Sequence, residues 1–139
     1  MKYRYTVASG AIDTRGRYTK RPVVEVELSA QGRSRKFLAL IDSGADQVTM
    51  SAAIAEVLGI DRATCPRRSL MGVTMQRIEG FVAPLQIRVQ HQTAAITAPV
   101  VFIDTDVPVL LGQGAFFDRY RIKFEKDHDT FEITPSRKS

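Results

Sequence analysis

Leu40-Ile41-Asp42-Ser43-Gly44-Ala45-Asp46 decides the reading of this chain. It closes an apolar run, Phe37-Leu38-Ala39-Leu40-Ile41, that begins after Arg35 and stops abruptly at Asp42. Five consecutive apolar residues bounded by turn chemistry predict a strand buried on both faces. That strand delivers a carboxylate at its very end, where its apolar neighbours partly desolvate it, and Gly44 permits a tight turn and close approach of another backbone or a ligand. Taken alone, Asp-Ser-Gly is ordinary turn chemistry and favours a plain turn. The surroundings reverse that preference. The turn leads through Ala45-Asp46 into a capped helix, and a second apolar run ending in glycine, Leu110-Leu111-Gly112, echoes it about seventy residues later.

Outward from this stretch the pattern is mostly of period two. Val24, Val26 and Leu28 alternate with Glu25 and Glu27, which predicts a half-buried strand from Pro22, and Ala30-Gln31-Gly32 turns it into the Asp42 strand. Ser51 precedes Ala52-Ala53-Ile54-Ala55-Glu56-Val57-Leu58-Gly59, a short helix with an N-cap serine and a glycine just past its end. Pro66 to Gly80 predicts a long hairpin. Strands follow at Leu85–Val89 and Ala95–Ile103, then Val109-Leu110-Leu111, one helical turn at Gly114–Asp118, and a last pair at Arg121–Glu125 and Phe131–Thr134. Many short strands and one clear helix describe an all-β barrel or sandwich.

The 139 residues and 15.5 kDa allow one core and exclude a two-domain enzyme. The net charge of +5 invites a nucleic-acid reading, but residues 1–40 carry +6 and the rest of the chain −1. The charge belongs to a basic N-terminal extension or edge strand, residues 1–20, and its surroundings. No nucleic-acid partner is expected. Cys65 is the only cysteine, so no intrachain disulfide forms. With no apolar leader and no stretch of membrane-spanning length, the expectation is a cytoplasmic, soluble chain or a soluble fragment of a larger protein.

The whole arrangement resembles the retropepsin-like aspartic proteases, and within them the bacterial single-domain members. In that family a hydrophobic-hydrophobic-Asp-Thr/Ser-Gly-Ala motif carries the catalytic aspartate, and a later hydrophobic-hydrophobic-Gly closes a loop beside it. Leu40-Ile41-Asp42-Ser43-Gly44-Ala45 matches the first and Leu110-Leu111-Gly112 the second. Gly114 to Phe124 is also similar to the C-terminal helix and strand of bacterial members. The resemblance runs from about Pro22 to Pro135, which implies a closed acid-protease barrel over residues 21–135, one lobe per chain, with a loose tail at 136–139.

Peptide hydrolysis without a covalent intermediate needs one group to take a proton from water and another to protonate the carbonyl oxygen and then the leaving amine. Two carboxylates sharing a proton do both. This chain has a single Asp-Ser-Gly, and Asp104, Asp106, Asp118, Asp127 and Asp129 sit in turns or on a helical turn. The resemblance therefore implies a homodimer in which Asp42 meets its own copy across a two-fold axis, acting on a peptide or protein substrate. It implies a catalytic Asp42, a Ser43 hydroxyl tying the loops across the dimer, a Gly44 carbonyl facing substrate backbone, and Ala45 supporting the loop. Asp46 matches a position that contacts substrate main chain and pairs with an arginine. Here Gln113 stands where many members have that arginine, so Arg119, an N-terminal arginine or Gln113 itself is left to serve Asp46. The family's flap falls at about Arg68–Gly80, with Gly72-Val73-Thr74 as its tip against substrate; a half-buried strand through Met71, Val73 and Met75 is the alternative.

No metal or other cofactor is expected. His91 and His128 lie far apart in sequence without ligand spacing, and Cys65 has neither a second cysteine nor a base beside it. The competing function is a domain of the same fold that binds a peptide or assembles a larger protein without cleaving it.

Overall fold

The computed structural model describes residues 1–72 and 74–137, with backbone alone at 8–11. Its strands in chain order are β1 (Lys2–Arg4), β2 (Thr6–Ile12), β3 (Tyr18–Arg21), β4 (Val23–Ala30), β5 (Arg33–Ile41), β6 (Thr49–Ser51), β7 (Arg67–Met71), β8 (Arg77–Val89), β9 (Ile96–Ile103), β10 (Val109–Leu111), β11 (Tyr120–Glu125) and β12 (Thr130–Pro135), with one α-helix, α1 (Ala52–Val57). Six of them close a mixed barrel in the order β4-β5-β10-β6-β9-β8, shut by pairing of β4 with β8, while β7 flanks β8 outside the ring. A smaller sheet, β1-β12-β11, packs against it, and β2 and β3 form a separate hairpin. The fold is the all-β closed barrel that the family resemblance implied.

Alternation in β4 turns Val24, Val26 and Leu28 inward and leaves Glu25 and Glu27 half-exposed. In β5 the outcome differs from the expectation of burial on both faces: Ala39 and Ile41 are buried, whereas Leu38 is 67% exposed and Leu40 half-buried. A barrel has one interior, and among the described residues nothing covers the outer face of β5 at Leu38. The interior is filled by Leu28, Met50, Leu85, Ile87, Phe102 and Leu111, with Phe102 stacked on Phe81 at 5.2 Å between ring centres.

Helix α1 forms where its caps are. Ser51 accepts the Ala53 N–H at 3.2 Å, and at the other end Gly59 at φ +75° lets the Gly59 and Ile60 N–H groups reach the Glu56 and Ala55 carbonyls. The strand expected at Leu85–Val89 instead begins at Arg77 and runs thirteen residues through Pro84, which stands opposite Pro99. Neither proline breaks the ladder. Two residues along, the N–H groups of Val82 and Val101 point away from each other, to Pro66 and Val48, so the period of two turns both proline nitrogens away from the β8–β9 ladder as well. The expected helical turn near Gly114 is wound irregularly over Gln113–Phe117, with Ala115 at φ +74° and Phe117 N–H reaching Gly112.

Within residues 1–20, β1 adds to β12, and Tyr3 is buried with its ring stacked on Phe131 and its hydroxyl donating to the Gln90 carbonyl. The β2–β3 hairpin is tied at its base by Lys20 to Asp129, whose carboxyl is held below the usual range by hydrogen bonds from Lys126 and Lys20. Of the tail, Lys138 and Ser139 lie outside the described residues.

Truncating the buried centre of the barrel, Phe102→Ala, should cost about 3–5 kcal/mol of stability in urea unfolding, whereas Leu38→Ala should change it by no more than about 0.5 kcal/mol. Equal effects would contradict this assignment of the interior.

Candidate active site

Asp42 follows directly on β5, half-buried. Its N–H donates to the Leu111 carbonyl at 3.0 Å, its Oδ1 accepts the Gly44 N–H at 2.9 Å, and its carbonyl accepts the Ala45 N–H at 3.2 Å. The side chain therefore closes its own turn, as Asp-Ser-Gly chemistry dictates. Among the described residues Oδ2 accepts no hydrogen bond, so one carboxylate oxygen is held by the backbone and the other is not.

The second motif lies alongside. β10 pairs in parallel with the end of β5, Leu110 opposite Leu40 and Leu111 opposite Ile41, and antiparallel with β6 through Leu110 and Thr49. Past β10 the chain presses against the loop that follows Asp42. Gln113 N–H donates to the Ala45 carbonyl and Gly114 N–H to the Asp46 carbonyl, each at 2.8 Å, while Gln113 Nε2 donates to the Ser43 carbonyl at 2.8 Å. This contact demands glycine at 112: a Cβ there would stand 2.3 Å from the Gln47 carbonyl oxygen and 2.5 Å from that of Ala45.

Asp42, Ser43, Gly44, Ala45, Asp46, Leu110, Leu111 and Gly112 are thus brought together by adjacent strands and direct bonds. Ser43 and Asp46 are exposed, and among the described residues neither the Ser43 hydroxyl nor the Asp46 carboxylate has a partner. None of the partners considered for Asp46 is joined to it: among the described residues no ion pair links it to Arg119 or to an N-terminal arginine, and the Gln113 amide bonds the Ser43 carbonyl instead. Gln113 is the residue whose role the sequence left open. Its place directly after Gly112 was the available signal, but the choice of acceptor depends on the turn geometry.

The hairpin expected between Pro66 and Gly80 is formed by β7 and β8, Met71 opposite Arg77. Its turn is closed by Gly72 N–H to the Gln76 carbonyl at 2.9 Å and Met75 N–H to the Gly72 carbonyl at 3.0 Å. Val73 lies outside the described residues; Thr74 and Met75 are exposed. Leu70 and Ile78, paired across the hairpin, are half-buried. Among the described residues no hydrogen bond or ion pair joins this tip to the Asp42 loop. A cleft of about 720 Å³ lies elsewhere, lined by α1, Phe81 and the Arg62–Asp104 ion pair, and takes no residue from that loop. No group of three or more potential metal ligands occurs among the described residues, and no helix there is long and apolar enough to cross a membrane.

Gly112→Ala should displace the two loops and cost about 1–3 kcal/mol, read by chemical unfolding, with amide-exchange protection lost at Asp42, Gln113 and Gly114. Unchanged protection there would contradict the close approach.

Comparison with known proteins places this geometry. No family model matches the chain, and no curated protein does. Solved structures do. A retropepsin-like aspartic protease from Rickettsia conorii matches at TM-score 0.55 and 17% identity over 96% of this chain and 98% of that one. The EIAV protease complexed with the inhibitor HBY-793 matches at 0.52 and 23% over 67% and 82%. The retroviral protease-like domain of Ddi1 from Leishmania major matches at 0.51 and 16% over 84% and 98%. A barrel closed by six strands, with an Asp-Ser-Gly turn locked against a Leu-Leu-Gly strand, is the retropepsin-like fold.

Proposed function

We propose that the chain is an aspartic endopeptidase, active as a homodimer in which the two Asp42 carboxylates activate water against a peptide bond. The observation that carries this reading is the Asp42 carboxylate itself: half-buried at a strand end, gripped through Oδ1 and free at Oδ2, on a retropepsin-like fold. One such group cannot act as acid and base at once. Two of them, held about 3 Å apart, cannot both ionise and so share a proton. The ionised partner takes a proton from water as its oxygen bonds to the substrate carbonyl carbon, and the protonated partner gives its proton to the carbonyl oxygen. Collapse of the tetrahedral diol breaks the C–N bond as one carboxyl gives its proton to the leaving amine and the other carboxylate takes back a diol hydroxyl proton, which releases the acid and restores the shared-proton pair. The β7–β8 hairpin acts as the flap that excludes water during these steps. Ser43 would tie the two loops together across the axis, and Gly44 and Asp46 would meet substrate main chain.

The open edge of β11 gives the second copy a place to pair. Among the described residues β11 pairs with no strand but β12, and the Ser136 N–H to Arg119 carbonyl bond sets the phase of that ladder, so Tyr120, Ile122 and Phe124 present their N–H and C=O groups to the other edge. An antiparallel β11 pair centred on Phe124 sets Lys123 opposite the other copy's Glu125 and opposes no like charges. Centring on Ile122 would set Arg121 against Lys123, and centring on Lys123 would oppose that lysine to itself.

A second reading, a peptide-binding or assembly domain without cleavage, draws on Gln113 in the arginine position and on the match to the Ddi1 domain.

A peptide library incubated from pH 4 to 7 with the wild type and with Asp42→Asn separates the two readings. The proposal requires cleavage by the first and a loss of at least about a hundredfold in the second; cleavage by both or by neither contradicts it. For the interface, Lys123→Glu should weaken the dimer several-fold in sedimentation, and Lys123→Glu with Glu125→Lys should restore it. No effect of either would remove β11 from the interface.

A further inference from the structure

The β7–β8 hairpin outruns the barrel and is held at its root. Among the described residues Arg77, Ile78 and Glu79 pair only with β7, and β8 first meets β9 at Gly80, opposite Ile103. The fit there is close: a Cβ on Gly80 would stand 2.3 Å from the Phe102 carbonyl oxygen. Beside it the Pro66 carbonyl accepts the Val82 N–H at 2.9 Å, which bonds the chain entering the hairpin to the strand leaving it.

One side chain spans this root. Arg62 sits in the turn that leads toward β7, where the Asp61 carboxylate accepts the Ala63 N–H at 3.1 Å. Its guanidinium carbon lies 4.7 Å from the centre of the Phe81 ring, and it donates twice to Asp104, Nη1 to Oδ1 at 2.8 Å and Nη2 to Oδ2 at 2.9 Å. Phe81 follows Gly80 with its ring stacked on Phe102, and Asp104 directly follows β9. One planar cation therefore joins the approach to β7, the root of β8 and the end of β9, using a fork that fits a carboxylate at two points. The bonds from Arg62 hold the Asp104 carboxyl below its usual range, so the pair stays charged in mild acid. The two side chains are 53% and 56% exposed, and a pair so exposed adds little to a cooperative fold. The same small contribution changes a local opening several-fold where few other contacts hold the segment.

We infer that Arg62 is a hinge clamp: by bridging Phe81 and Asp104 it sets how readily the β7–β8 hairpin swings away from the barrel. This deepens the flap reading above and rests on it for its consequence, since a flap opens and closes about its root. Arg62 is a positioning residue. Among the described residues no hydrogen bond or ion pair joins it to the Asp42 loop.

Amide hydrogen exchange on the full chain tests the clamp. The Val82 N–H reports the root, and the Val26 N–H, on β4 between β5 and β8, reports the barrel. Arg62→Met and Asp104→Ala should each speed exchange at Val82 relative to Val26 by about two- to fivefold, the range an exposed pair supplies. The double variant should be no faster than Arg62→Met alone, because the two side chains make one contact. A ratio unchanged in either single variant overturns the inference, including the case in which both amides speed up together. So does a double variant in which the two effects multiply. Exchange needs no turnover, so a chain that cleaves no peptide overturns the endopeptidase reading and leaves the clamp to be decided by this ratio alone.

Discussion

The contact on which the rest of the structure depends is the one at Gly112, where two backbone segments approach so closely that a single methyl group would collide with two carbonyl oxygens. It brings the segment after β10 within hydrogen-bonding reach of residues 43–46, and from it follow the bonds that fix the Asp42 turn. The strands make this approach possible. β10 lies between β5 and β6, parallel to one and antiparallel to the other, so the chain entering and the chain leaving the 42–48 loop are both bonded to it. Asp42 owes its position to a barrel strand and its orientation to a loop contributed from some seventy residues away.

Within the 42–46 loop Asp42 is the carboxylate gripped by the backbone, and the other, Asp46, is exposed and without a partner among the described residues. A barrel of this size has a single interior, occupied here by aliphatic and aromatic side chains, so the proposed reading takes its second acid from another copy of the chain. The terminal sheet fits that requirement. β12 pairs with β1 on one side and β11 on the other, which satisfies its own two edges and, among the described residues, leaves β11 as an open edge that carries Arg121, Lys123 and Glu125. β1, the other edge, is three residues long and carries Lys2 and Arg4, a composition that opposes self-pairing.

Much of the fold could be read from local chemistry. Ser51 and Gly59 marked α1 because capping is a local interaction, and the alternation in β4 and β12 marked strands with one buried face. The two motifs were legible as motifs, and their adjacency followed from the family resemblance before the β5–β10 ladder gave it a physical form. What stayed hidden was non-local. The three residues of β6 are too few to show a period, the exposure of Leu38 depends on what lies outside the barrel, and the ease with which β8 passes through Pro84 depends on hydrogen-bond phase set by Pro66 and Val48. The choice of Ser43 over Asp46 as acceptor for Gln113 belongs to the same class, since spacing alone does not order two acceptors three residues apart.

The central claim, that each chain carries half of a catalytic pair, is tested most directly by mixing subunits. Wild-type chain and Asp42→Asn chain are combined at constant total concentration under exchange conditions, and peptidase activity is followed against the wild-type fraction. If both carboxylates are needed, activity falls as the square of that fraction, to about a quarter at equal mixing. A linear fall, to about a half, would mean that one Asp42 acts alone and would contradict the account.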